Sequence, residues 1–173
     1  MLFGFRALLA GPVGAVLLLV PCGAQAATIQ IGALGASIVC GKGVGAEAAF
    51  PALLAGMLKA KGYDVSMAVS CVDGDDGAAI FGRVGSLPAG TRIIIYQTGG
   101  SNNTKKGESL NAFSGRIAAA IHARGAIGIR CASWQIGGIE YQADGKHPTA
   151  AGHRRIAAAL LPQVVAALGK AGK

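Results

Sequence analysis

Four short apolar runs, separated by stretches of helical periodicity, restrict this chain more than any other feature. Ala27–Leu34 (ATIQIGAL), Tyr63–Cys71, Thr91–Tyr96 (TRIIIY) and Ala126–Ala132 read as buried strands, being brief, apolar and, at TRIIIY, rich in β-branched residues. The helical stretches have a different spacing. Ala46–Lys61 carries Phe50, Leu53, Leu54, Met57 and Leu58 on one face and is closed by Gly62, while Asp75–Val84 reads as a short helix interrupted by Gly77 and Gly82. Leu110–Arg124 places Leu110, Phe113, Ile117 and Ile121 together before Gly125. Ala150–Leu168 does the same with Ile156, Leu160, Leu161, Val164, Val165 and Leu168, and Pro162 is expected to kink it. Strands alternating with helices predict βαβ units, with helices on both faces of a mostly parallel sheet. Function in such a sheet collects in the loops beyond the C-terminal ends of the strands.

Composition removes several other classes. A chain of 173 residues that is 52% hydrophobic and 14% charged buries enough surface to fold, and its 28 glycines follow no three-residue period. Some of the apolar content lies in a leader. Met1–Ala26 has one early cation, Arg6, then an apolar run through Leu17–Val20, then the small residues of Ala24-Gln25-Ala26, which is the layout of a secretory signal peptide. Gly11, Pro12 and Gly14 interrupt the run, so it reads as a cleaved leader rather than a permanent span. Residues 27–173 are then the mature domain, exported to the periplasm or beyond the cell, with no second long apolar stretch.

The formal charge is +8, and removal of Arg6 with the leader lowers it by one. Apart from Lys105-Lys106 and Arg154-Arg155 the basic residues are scattered, without interleaved aromatics, so the charge reads as a solvated surface and not as a nucleic-acid site. The leader would take Cys22 with it and leave Cys40, Cys71 and Cys131, whose spacing matches no zinc pattern. Cys40 and Cys71 each follow a predicted strand and could meet at one edge of the sheet, where a disulfide competes with the reading of small buried thiols.

The loops at the predicted C-terminal edge hold the parts of a nucleophilic site. A serine needs a base to take its proton, the base needs a group that fixes its tautomer, and the oxyanion needs preorganised donors. Ser37 sits in a glycine-bounded turn after the first strand. His147 is the candidate base, and Asp144, three residues earlier, the group that orients it. The backbone N–H groups of Ser37 and Gly74 and the side-chain amide of Asn102 are the candidate oxyanion donors. His122 and His153 fall on predicted helices and read as partly exposed surface residues.

At these positions the chain resembles the SGNH hydrolases, the GDSL-type esterases and lipases, and in particular their secreted bacterial branch. Ala33-Leu34-Gly35-Ala36-Ser37 is similar to the first block, Val72-Asp73-Gly74-Asp75 to the second and Gly100-Ser101-Asn102-Asn103 to the third; Asp144-Gly145-Lys146-His147-Pro148 is similar to the fourth. The intervening Gly41–Val44, Ala49-Phe50-Pro51 and Lys59–Val65 follow the same branch, so the resemblance runs from about Ile29 to Leu168. It implies a three-layer α/β/α fold around a mostly parallel, flavodoxin-like sheet of four or five strands. The implied chemistry is hydrolysis of a carboxylic ester through an acyl-serine intermediate, without metal or cofactor, on small acyl esters, lysophospholipids or O-acetylated glycans. Ser37 would be the nucleophile, His147 the general base and then acid, Asp144 its orienting carboxylate, and Gly74 and Asn102 oxyanion donors.

Three positions depart from the pattern. Ala36 and Asn103 stand where the family has aspartates, and the stretch from Cys131 to Asp144 is short. These departures motivate an alternative, a non-catalytic member of the fold that binds an envelope glycan or lipid. Other glycine-based readings fail on spacing: Gly35–Lys42 has five residues between its glycines where a phosphate loop has four, and Gly41–Gly45 lacks the dinucleotide-binding pattern.

Overall fold

Each of the four apolar runs forms a strand: β1 (Ile29–Gly35), β2 (Val65–Cys71), β3 (Ile93–Tyr96) and β4 (Ile127–Arg130). The computed structural model describes residues 28–171; the leader-like Met1–Ala26 lies outside them. All pairings are parallel and the spatial order is β2-β1-β3-β4. β1 is therefore flanked by the strands that follow it in sequence, and the chain changes direction of travel between β1 and β3. That is the crevice in which an open α/β sheet binds ligands.

The helices in chain order are α1 (Ser37–Cys40), α2 (Phe50–Ala60), α3 (Gly77–Gly82), α4 (Ser101–Thr104), α5 (Ser114–Ala123) and α6 (Ala150–Ala171). Alternation along the strands sorts them into two layers. Ile31, Ala33, Ile93 and Ile95 pack with Phe50, Leu54 and Leu58 of α2 and with Ile156, Leu160, Val164 and Leu168 of α6. Leu34, Ile94 and Tyr96 pack on the other face against Ile80 of α3 and Ile117 and Ile121 of α5. Each large apolar side chain buried in this way contributes about 1.5–3 kcal/mol.

Of the four or five strands expected, the sheet has four among the described residues; after β4 the chain makes a 3-10 turn at Ser133–Gln135 and an isolated antiparallel bridge between Tyr141 and Pro148. Other expectations are revised. The helix expected from Leu110 begins at Ser114. Leu110's carbonyl accepts the Thr98 hydroxyl at 3.0 Å, which holds this stretch in a non-helical turn beside the end of β3. Leu110 itself is 42% exposed rather than in the core. Pro162 lies inside α6 without ending it; the carbonyl it leaves unpaired belongs to Ala158, and both residues face solvent.

His153, read as a surface residue, is fully buried. Its Nδ1 accepts the Phe50 N–H at 3.2 Å, stitching α6 to the first turn of α2, and Nε2 has no partner among the described residues. Burial, aided by the neighbouring His147, pushes its pKa down to about 4. Among the described residues no helix is long and apolar enough to cross a membrane.

Candidate active site

Ser37 opens α1 directly beyond β1, on a turn that packing makes rigid. A Cβ on Gly35 would lie 2.4 Å from Val39 Cγ2 and 2.9 Å from Gln97 Oε1, so only glycine lets the chain pass here. Arg83 anchors the same turn from α3's C-terminal end, donating to the Gly35 carbonyl at 2.9 Å and to Ser70 Oγ at 3.1 Å while paired with Asp75. Behind it, a Cys40–Cys71 disulfide joins the end of α1 to the end of β2, with Cα atoms 5.6 Å apart. Cys131 is free and buried, and burial pushes its thiol up to about 12, against the opposing hydrogen bond from Gln97.

Asp144 and His147 come from the loop between β4 and α6. The Tyr141–Pro148 bridge closes it, with Gln142 N–H bonded to the His147 carbonyl at 2.8 Å and Gly145 N–H to the Gln142 carbonyl at 2.9 Å. Gln142 Nε2 ties this loop to the Ser37 side, donating to the Lys42 carbonyl at 2.8 Å and to the Pro148 carbonyl at 2.9 Å. Asp144 Oδ1 accepts the N–H groups of Lys146 and His147 at 2.9 and 3.0 Å, a local turn that aims Oδ2 at the imidazole. Oδ2 lies 2.5 Å from His147 Nδ1, and His147 Nε2 lies 3.0 Å from Ser37 Oγ. With Nδ1–H donated to the carboxylate, Nε2 is left as the acceptor of the serine proton. The imidazole, then the two N–H groups, hold the Asp144 carboxyl well below the usual range, so it stays charged through mild acid.

The structure thus brings Ser37, Asp144 and His147 into one relay. Gly74 and Asn102 join them around a cavity of about 200 Å3 that Ser37 and His147 also line. One amide N–H of Asn102 donates to the Asp75 carbonyl at 2.9 Å, which fixes the side chain and leaves its second N–H for another acceptor. Gly74 has φ +85°, at the tip of the turn after β2. Ala36, where the family pattern has an aspartate, is buried beside Leu34 and Ile80.

Asn103 explains its own departure from the pattern. It is fully buried; Oδ1 accepts the Gly77 N–H at 2.6 Å and Nδ2 donates to the Thr98 carbonyl at 2.6 Å. An amide can face a donor and an acceptor at once, whereas a carboxylate here would meet the Thr98 carbonyl with a second negative oxygen. The residue beside the candidate oxyanion donor is thus fully satisfied.

Sequence reasoning missed a second cavity of about 310 Å3 beside Ser37. Ile38, Leu110, Trp134 and Tyr141 line it, and the last three are exposed at its mouth. Trp134 and Tyr141 carry no periodic signal, and Leu110 was assigned to a helix core. Arg83 was missed because its partners are distant in sequence.

Fold and site together define a class: an open parallel α/β sheet with a Ser-His-Asp relay beyond its C-terminal edge. The chain has the SGNH hydrolase fold. It superposes on TesA with a TM-score of 0.68 at 20% identity, over 80% of this chain and 99% of that one. The psychrotrophic esterase EstA from Pseudoalteromonas sp. gives 0.67 at 14% identity, over 81% and 98%. AlinE4, an SGNH-hydrolase family esterase, gives 0.52 at 20% identity, over 83% and 98%. No family model matches the sequence, and no curated protein does.

Proposed function

We propose that this protein is an exported serine esterase acting on carboxylic esters. The observation that carries the reading is the relay itself, Asp144 Oδ2 to His147 Nδ1 at 2.5 Å and His147 Nε2 to Ser37 Oγ at 3.0 Å. Ser37 Oγ attacks the ester carbonyl as His147 takes its proton, and Asp144 stabilises the imidazolium. The Ser37 and Gly74 N–H groups and the Asn102 amide receive the oxyanion. Collapse of the intermediate expels the leaving alkoxide, which takes the proton from His147 and leaves an acyl-serine. Water, deprotonated by His147, then releases the acid.

The esterases among the structural neighbours support ester hydrolysis, and small acyl esters, lysophospholipids and O-acetylated glycans are the candidate substrates. The leader-like Met1–Ala26 and the Cys40–Cys71 disulfide support export to an oxidising compartment. The alternative of a non-catalytic binder loses one of its three motives, since Asn103 is satisfied as an amide. The test is hydrolysis of short-chain aryl esters by the purified protein beside Ser37→Ala, whose rate should fall at least about a thousandfold. Equal rates in the two proteins, with no labelling of Ser37 by a fluorophosphonate, would return the reading to a binder.

A further inference from the structure

We infer that the preferred ester has an apolar acyl group and a leaving group bearing an anion, a carboxylate or a phosphate, held by Lys105 and Lys146. The inference rests on the esterase reading and gives it a direction. The two cavities beside Ser37 differ in chemistry: one is walled by Leu110, Trp134 and Tyr141, the other by Lys42, Lys105 and Asp73, while Ile38 and Lys146 line both. Ser37 and Asn102 line both, so the scissile carbonyl sits at their junction.

His147 decides which half of the ester goes where. The leaving oxygen must take its proton from Nε2, and His147 lines the lysine cavity but not the apolar one. The leaving group therefore departs across the lysines, and the acyl chain extends past Trp134 and Tyr141. Charge on the leaving-group side is unbalanced. Lys42 is neutralised by Asp73 at 2.7 Å, and Asp144 is engaged by His147 and two N–H groups. Lys105 and Lys146 have no ion-pair partner among the described residues. Two uncompensated ammonium groups beside a reacting centre attract an anion and place it, without touching the carbonyl. Lys146 also reaches the apolar cavity, so the assignment of sides rests on Lys105 and His147 together.

The test compares kcat/KM for phenyl butyrate, 4-carboxyphenyl butyrate and 4-phosphonooxyphenyl butyrate, with the monophenyl ester of adipic acid carrying the charge at the acyl end instead. Each exposed ion pair supplies a factor of at most about five. Reading the ratio of each charged ester to phenyl butyrate, Lys105→Ala should lower the leaving-group-charged ratios about two- to fivefold and leave the adipate ratio in place, and adding Lys146→Ala should deepen the fall to about three- to tenfold. Raising ionic strength should mimic the double variant on wild type. The larger drop, for carboxylate or phosphate, identifies the anion. Ratios that do not move overturn the inference while phenyl butyrate turnover sustains the esterase reading. An equal fall on all four esters indicates a structural role for the lysines and also overturns it, and no turnover of any ester overturns both.

Discussion

Ser37 is 9% exposed on a turn wedged between Val39 and Gln97 and tied by a disulfide, whereas the base loop leaves the Asp144 side chain 46% exposed. Ser37 is positioned by what positions the fold: strand β1, the core beneath it and long-range anchors such as Arg83. His147 is positioned by hydrogen bonds made mostly within its own loop. The difference teaches that damage on the two sides should look different, as lost stability on one and lost turnover in an intact fold on the other.

The largest effect expected is on the loop side. Asp144→Asn keeps an oxygen for the Lys146 and His147 N–H groups but presents an amide donor to Nδ1, favouring the wrong imidazole tautomer. Turnover of an aryl ester should drop on the order of 10³–10⁴-fold, with the urea midpoint almost unmoved. A large loss of stability would erase the contrast.

On the nucleophile side, Cys40→Ser/Cys71→Ser opens a loop whose ends are 31 residues apart. Unfolding free energy from urea titration should fall by about 3 kcal/mol, with a much smaller change in turnover than Asp144→Asn. Asn103→Asp probes the region between the two. Placing a carboxylate against the Thr98 carbonyl should cost about 2 kcal/mol by the same titration; an unchanged midpoint would mean that the amide is not what this position requires.

The most gradual effect is a pH dependence under the His147 loop, where α6 begins. His153 has a folded pKa of about 4 against an ordinary 6.5, so the unfolded chain binds the proton more readily. Its contribution is fully present above pH 6.5, falls as pH drops from 6.5 to about 4, and declines no further below that. Over this window the slope should reach at most about one proton, and His153→Gln should flatten it.

Much of the site is legible along the chain because its chemistry is local. The glycine-bounded Ser37 turn and the Asp144–His147 turn are each a few residues long, and the strands preceding the active loops declare themselves by period. His153 and Leu110 were misread for the opposite reason. Helical spacing alone does not say that α2 will cover His153, or that Thr98 will take Leu110's carbonyl and turn it toward a cavity.

The sequence by itself determined the alternation of strand and helix, the loops beyond the strands' C-terminal ends and the choice of Ser37, Asp144 and His147 as candidates. The tertiary structure alone decided that Ser37 and His147, 110 residues apart, lie within 3.0 Å, that Asn103 serves as a buried amide, and that an apolar and a cationic cavity meet at one serine. Short-range periodicity records which way a side chain points from its own backbone. Its partners across the sheet are set by how the layers close over it, and closure depends on the whole chain.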